Sequence, residues 1–369
     1  MSDNPLLKLK NLGQSLWLDS IDRTLLTDGS LAKLIEQDGI AGLTSNPAIF
    51  QKAFANDDAY QADISKLSES RASVEKIYTE LVLEDIANAA DLFLPVYQQT
   101  DGKDGYVSIE VSPLLARDTE ASIQEARDLW ARLNRPNIMI KIPGTAEGLS
   151  AIRTLLAEGI NVNVTLLFYA SRYVEVLEMY LQALEQRLEQ GLPLDRVASV
   201  ASFFLSRIDV KLDDILDNQT VDKQQELAKS LRGEIAIASA ASAYAHFLSV
   251  SEGPRWQKLL AAGAQTQRLL WASTGTKDPA YSDVKYVEAL IAPDTVNTLP
   301  QKTIDAYRDH GEPALRISES IAKVDNILSK VSELRLDLPA LTDELEEEGI
   351  AKFIKPYESI LNDLKQHQH

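Results

Sequence analysis

The segment Ile138-Met139-Ile140-Lys141-Ile142-Pro143-Gly144-Thr145 is a short apolar β-type run that ends on a lysine and leads directly into a helix start. A strand followed at once by a helix is half of a parallel β/α unit. A lysine buried at such a strand end loses its hydration as an ammonium, which favours the free amine that attacks a carbonyl to form a Schiff base. A lysine there can also snorkel to solvent or pair with a carboxylate. The remainder of the chain decides between these.

Similar β-type runs recur on both sides, each followed by a helical pattern: Leu16 to Asp19, Ile40 to Thr44, Tyr106 to Val111, Asn137 to Ile142, Ile160 to Leu166, Val197 to Phe203, Arg268 to Ser273 and Thr295 to Leu299. Ser30 is placed to cap a helix ended by Gly39, Asp118 or Thr119 to cap another, and Thr145 to open one ended by Gly159. Eight alternating units imply an α/β fold, a single (β/α)8 TIM-type barrel. The 369 residues are expected to form one domain, with the barrel core at about 15–300. Extra helices are expected in an insertion at about 211–267 and after the barrel at about 301–369. The acidic run Asp343-Glu344-Leu345-Glu346-Glu347-Glu348 reads as a solvated helical face, and Gln366-His367-Gln368-His369 as a frayed end.

A composition of 45% hydrophobic and 25% charged residues supports a large core. The formal charge of −18 argues against nucleic acid or an anionic membrane as partner. Without cysteine, disulfides, thiol catalysis and thiolate metal sites are excluded, and four scattered histidines offer no metal-binding spacing, so no metal is expected. Met1 to Leu12 lacks a secretion signal, and the Ala/Ser-rich run Ile235 to Leu248 is too short to span a bilayer. A cytoplasmic protein is expected, as a monomer or a homodimer.

Residues two apart on a barrel strand share a face. Polar residues interrupt the apolar inward pattern towards the C-terminal strand ends: Asp19, Ser108 with Glu110, Lys141, Asn161 with Asn163 and Thr165, Ser202, and Ser273. Barrel enzymes hold their active sites at that end. A Schiff-base enzyme needs an amine, a proton shuttle for carbinolamine dehydration and a base for a hydroxyl proton during carbon–carbon cleavage. Lys141, Glu110 and Asp19 can fill these roles.

The motifs Gly42-Leu43-Thr44-Ser45-Asn46-Pro47, Ile138-Met139-Ile140-Lys141-Ile142-Pro143 and Gly159-Ile160-Asn161-Val162-Asn163-Val164-Thr165, in this order and on these strands, resemble those of transaldolases. The resemblance runs from about Trp17 to Pro300, and Trp271-Ala272-Ser273-Thr274-Gly275-Thr276-Lys277 is similar to the longer bacterial branch. It implies that Lys141 forms the Schiff base, that Asp19 takes the C4 hydroxyl proton, and that Glu110 works through a water that Thr165 helps to hold. Asn46, Asn163 and Ser202 match residues that contact the three-carbon fragment. Arg207 matches a phosphate-gripping arginine, although an arginine starting a helix can instead pair with Asp209 or Asp213. Many relatives carry Ser-aromatic-Arg after the seventh strand; here Ser273 and Lys277 are assigned to the phosphate. Phe204 is either a ring beside the intermediate, where it denies water an anchor, or a core phenylalanine.

The resemblance implies transfer of dihydroxyacetone from sedoheptulose 7-phosphate or fructose 6-phosphate to glyceraldehyde 3-phosphate or erythrose 4-phosphate, in the non-oxidative pentose phosphate pathway. The partners are then sugar phosphates, and no cofactor is needed. Two rivals stand beside it: a class I (Schiff-base) fructose 6-phosphate aldolase-type lyase, and a barrel that binds sugar phosphates without catalysis. Lys141, Glu110 and Asp19 together count against the last, since binding needs no reactive amine.

Overall fold

A computed structural model of the chain describes residues 4–219 and 222–366. Eight parallel strands, β1 (Gln14–Leu18), β2 (Ile40–Thr44), β3 (Tyr106–Glu110), β4 (Ile138–Pro143), β5 (Val162–Leu167), β6 (Ser199–Phe204), β7 (Arg268–Ala272) and β8 (Thr295–Leu299), pair in chain order, and β8 closes onto β1. The expected (β/α)8 barrel is therefore present. The runs Ile40 to Thr44 and Thr295 to Leu299 coincide with strands end to end; others shift by one or two residues.

The shifts have local causes. Ile160 and Val197 are apolar and buried, but their N–H groups bond back to Leu155 and Leu194 in the turns that precede β5 and β6. Gln14 and Ser15 extend β1 backwards although they are polar, because Gln14 donates to the Leu290 carbonyl and Ser15 to Asp104. Asp118 rather than Thr119 caps helix Thr119–Leu133, and Thr145 caps Ala146–Glu158, which Gly159 ends in the left-handed region at φ 91°. Gly29, not Ser30, occupies the cap position of helix Ser30–Asp38.

The N-terminal end of the barrel is plugged by a buried ion pair. Arg268 lies 2.9 Å from Asp104, whose oxygens also accept from Ser15 and Trp17. Gly42 makes room for the indole, since a Cβ there would fall 2.6 Å from the Trp17 ring. Asn161 belongs to this end as well, donating to the Pro136 and Ile138 carbonyls rather than facing the mouth.

Helices Ser206–Asp217, Asp222–Lys229, Ile235–Ser251 and Pro254–Ala261 separate β6 from β7. The small side chains of Ile235–Ser251 let helix Ile317–Glu333 pack closely against it. Among the described residues no helix is long and apolar enough to cross a membrane. The last helix, Leu338–Gln366, packs on helices Pro47–Asn56 and Val74–Gln99 and passes over the C-terminal mouth of the barrel.

The acidic run is a solvated helical face at Asp343, Glu344, Glu347 and Glu348, which are exposed, but not along its whole length. Leu345 and Glu346 are buried, Glu346 pairs with Arg117, and Glu344 and Glu348 turn to Lys211 at the mouth at 2.8 and 2.7 Å. Helical periodicity alone does not reveal a basic residue on a facing element. The frayed end expected at 366–369 lies, from His367 on, outside the described residues.

Candidate active site

Strand register places Glu110 beside Lys141, and Lys141 beside Asn163. The side chains of Glu110 and Lys141 are each only 6% exposed, with Nζ 3.4 Å from Oε1. Nζ also donates to the Ser45 carbonyl at 2.9 Å. Burial pushes the Glu110 carboxyl above the usual carboxylate range, while the Lys141 and Arg207 charges oppose the shift. Neither Glu110 oxygen has a hydrogen-bond partner among the described residues. Buried polar atoms rarely stay unpaired, so such oxygens await a partner from solvent or substrate.

The segment Thr44-Ser45-Asn46-Pro47 organises three sides of the site at once. Thr44 donates to Asp19 Oδ1 at 2.9 Å and shares a 2.7 Å hydroxyl contact with Thr298 on β8. Ser45 supplies the carbonyl that meets Lys141, and its hydroxyl ties β2 to the Ser108 carbonyl on β3. Asn46 caps helix Pro47–Asn56 through Oδ1, which accepts from the Ile49 N–H at 3.1 Å. Burial pushes the Asp19 carboxyl upward, and Lys141, the Thr44 hydrogen bond, Arg207 and Lys277 pull it back.

An inner chamber is lined by Asp19, Asn46, Lys141, Thr165, Ser202 and Phe204, among others. Thr165 lines it, with Oγ1 buried and without a hydrogen-bond partner among the described residues. Asn163 lies below the chamber, fully buried and held at both ends: it donates to Ser108 at 3.0 Å and accepts from Ser202 at 2.6 Å. Phe204 lines the chamber and tilts against Phe168 with ring centroids 5.6 Å apart.

Outward, the chamber shares Asp19, Asn46, Arg207, Ser273 and Phe353 with a cavity of about 970 Å3. Arg207 stands at the junction. It pairs with neither Asp209 nor Asp213, because Asp209 accepts from the Ala236 N–H and Tyr286, and Asp213 from the Gly233 N–H and Tyr281. The guanidinium instead lies 5.1 Å from the Phe204 ring and 5.4 Å from the Phe353 ring, with Nη1 buried and without a hydrogen-bond partner among the described residues. Burial draws its pKa down, and Glu110, Asp19 and Glu348 oppose that. Ser273, in the left-handed region at φ 56°, meets the Ser206 hydroxyl at 2.8 Å. Lys277 reaches the cavity rim with an exposed side chain.

The fold thus gathers Asp19, Asn46, Lys141, Thr165, Ser202, Arg207 and Ser273 at one mouth, with Lys277 at its edge, Glu110 paired to Lys141 and Asn163 beneath, whereas Asn161 lies at the opposite end. Sequence reasoning missed the supporting parts. Thr44 and the Ser45 carbonyl belong to a motif in which only Asn46 had been given a role. Phe353 reaches the chamber from the last helix, where its spacing to Gly349, Ile350 and Tyr357 is that of any buried helical face.

The arrangement pairs a buried amine with two carboxyl groups of raised pKa, and opens onto an outer cavity lined by charges of both signs, with Arg207 at its inner end and Lys277 at its rim. A family model described as Transaldolase/Fructose-6-phosphate aldolase matches residues 16–364. The chain is 47% identical to a protein named Transaldolase 2 from Nostoc sp. (strain PCC 7120), over 99% of this chain and 98% of that protein. It is 46% identical to a Transaldolase from Trichodesmium erythraeum (strain IMS101), with the same coverage. A Transaldolase from Thermobifida fusca (strain YX) is 46% identical over 98% of each chain. With a family model spanning nearly the whole barrel and relatives matched end to end, the chain belongs to the transaldolase/fructose-6-phosphate aldolase family.

Proposed function

We propose that the protein is a transaldolase, a transferase that moves a dihydroxyacetone unit from a ketose phosphate to an aldose phosphate. The donors are sedoheptulose 7-phosphate and fructose 6-phosphate; the acceptors are glyceraldehyde 3-phosphate and erythrose 4-phosphate. The reaction is placed in the non-oxidative pentose phosphate pathway, in the cytoplasm. The observation that carries the reading is the buried Lys141 amine 3.4 Å from Glu110, in a chamber that also holds Asp19 and opens at Arg207.

Lys141 Nζ adds to C2 of the ketose, and Glu110, through a water steadied by Thr165, delivers the proton that lets the carbinolamine oxygen leave. A carboxyl raised by burial retains that proton to higher pH than an exposed one. Asp19, oriented by Thr44, takes the C4 hydroxyl proton as the C3–C4 bond breaks. The electrons pass into the protonated imine, giving an enamine on Lys141 and a free aldose phosphate. The imine is itself the electron sink, so this chemistry needs no metal or organic cofactor. Asn46, Asn163 and Ser202 bind the three-carbon fragment, and Arg207 with Ser273 and Lys277 binds the phosphate. The enamine then attacks the acceptor aldehyde, whose oxygen recovers a proton from Asp19.

Borohydride reduction with fructose 6-phosphate, followed by intact and peptide mass spectrometry, tests the reading. The expected product is a dihydroxyacetone-sized adduct on Lys141. An adduct on another lysine, or none on the folded protein, overturns it. Omitting the acceptor separates transferase from lyase: a transferase stalls after about one turnover, whereas a lyase continues to release dihydroxyacetone.

A further inference from the structure

We infer that Phe353 roofs the reacting amine and sets how the covalent intermediate partitions between transfer to an acceptor and loss to water. This rests on the Schiff-base reading above and assigns a specificity role to a residue of the C-terminal helix Leu338–Gln366. The ring is 5% exposed, and its centroid lies 5.8 Å from Lys141 Nζ and 5.4 Å from Arg207 Cζ. It lines both the inner chamber and the outer cavity. A ketose bound covalently at Lys141, with its phosphate at Arg207, must run along this ring. Phe204 touches the guanidinium from β6, and Phe353 extends that apolar wall to the amine.

The ring is held from both directions along its helix. One turn before it, Gly349 lets the helix backbone approach, since a Cβ there would meet Leu166 at 2.9 Å and Arg207 Nη1 at 3.3 Å. One turn after it, Tyr357 packs edge-on against Tyr78 with centroids 5.1 Å apart. Glu344 and Glu348 tie the same helix to Lys211, one turn beyond Arg207. The roof is thereby fixed to the element that carries the phosphate-facing arginine.

The enamine has two fates. In transfer, its carbon forms a bond to the acceptor's carbonyl carbon, the carbonyl oxygen takes a proton, and the resulting imine is hydrolysed at C2 to free the ketose phosphate and the amine. In leakage, the same carbon takes a proton, giving an iminium; water then adds at C2, the C–N bond breaks with the proton going to the amine, and dihydroxyacetone leaves. Both fates spend one water on freeing C2 from Lys141; what separates them is the proton delivered to the enamine carbon, which in leakage comes through a water beside that carbon. A phenyl ring presents that water with no hydrogen-bond partner and fills its space.

The test measures acceptor-free release of dihydroxyacetone against transfer to glyceraldehyde 3-phosphate, together with borohydride trapping on Lys141. Phe353→Ala is expected to raise the release-to-transfer ratio by about tenfold, and Phe353→Leu, which keeps most of the packing, by about threefold, with the trapped adduct still on Lys141. Purely structural damage lowers both rates together and leaves the ratio unchanged. An unchanged ratio in Phe353→Leu overturns the inference even where Phe353→Ala does not fold. Failure of the wild-type protein to trap an adduct overturns the Schiff-base reading instead, so the two failures are distinct.

Discussion

Glu110 and Lys141 are register partners on neighbouring strands, 3.4 Å apart at their charged ends, yet neither Glu110 oxygen accepts a hydrogen bond from a described residue. A buried ion pair contributes little net stability unless its remaining lone pairs are satisfied. This pair is therefore better suited to moving protons than to holding strands together. Lys141→Met is expected to abolish turnover, lowering kcat by at least about three orders of magnitude, while Glu110→Gln slows formation of the trapped adduct without moving it from Lys141. Rapid-quench borohydride trapping reads both.

The Thr44 hydroxyl stabilises the ionised form of Asp19, working against the burial that raises its pKa. In the proposed mechanism Asp19 is the base in C3–C4 cleavage and must be ionised, so activity is expected to fall as pH falls through its pKa. Thr44→Val removes the donor, raises that pKa further and moves the acid limb of kcat to higher pH by about half to one unit. A limb that stays in place assigns it to a different group.

Arg207 has, at the junction of chamber and cavity, a buried Nη1 without a hydrogen-bond partner among the described residues. Arg207→Ala is expected to raise KM for fructose 6-phosphate by about a hundredfold, and Lys277→Ala, at the exposed rim, by only a few-fold. Competitive inhibition by inorganic phosphate weakens in the same order.

The opposite end of the barrel predicts stability instead. Arg268→Met leaves Asp104 buried without its counter-charge and costs about 3–5 kcal/mol in urea unfolding. The protein that remains folded keeps its KM, because the plug lies away from the mouth.

Asp209 is buried, and burial pushes its carboxyl up to about 6, against hydrogen bonds from the Ala236 N–H and Tyr286. Its folded pKa exceeds the ordinary 3.8, so the folded state holds the proton more tightly. The associated stability is full below about 3.8 and is lost as pH rises through about 6. Asp209→Asn removes this dependence. Unfolding free energy of the wild type relative to the variant should fall across that window, measured by urea titration at a series of pH values.

Eight short apolar runs, each followed by a helical pattern, determined the barrel from sequence, because strand and helix periods are local properties. A lysine, two carboxyl groups and the Thr-Ser-Asn-Pro and Asn-x-Asn-x-Thr motifs likewise pointed to the family and to the proposed chemistry, since residues at the C-terminal strand ends share one mouth once the barrel closes. Tertiary structure alone decided how they are held. The Ser45 carbonyl on Lys141 and the Thr44 hydroxyl on Asp19 depend on strand register, which the pattern leaves open by a residue or two. The freedom of Arg207 depends on Asp209 and Asp213 finding tyrosines and backbone N–H groups on other elements. Phe353 above Lys141 depends on where the last helix lies, and a phenylalanine on an apolar helical stripe has the same local signature whether it faces a core or a reacting carbon.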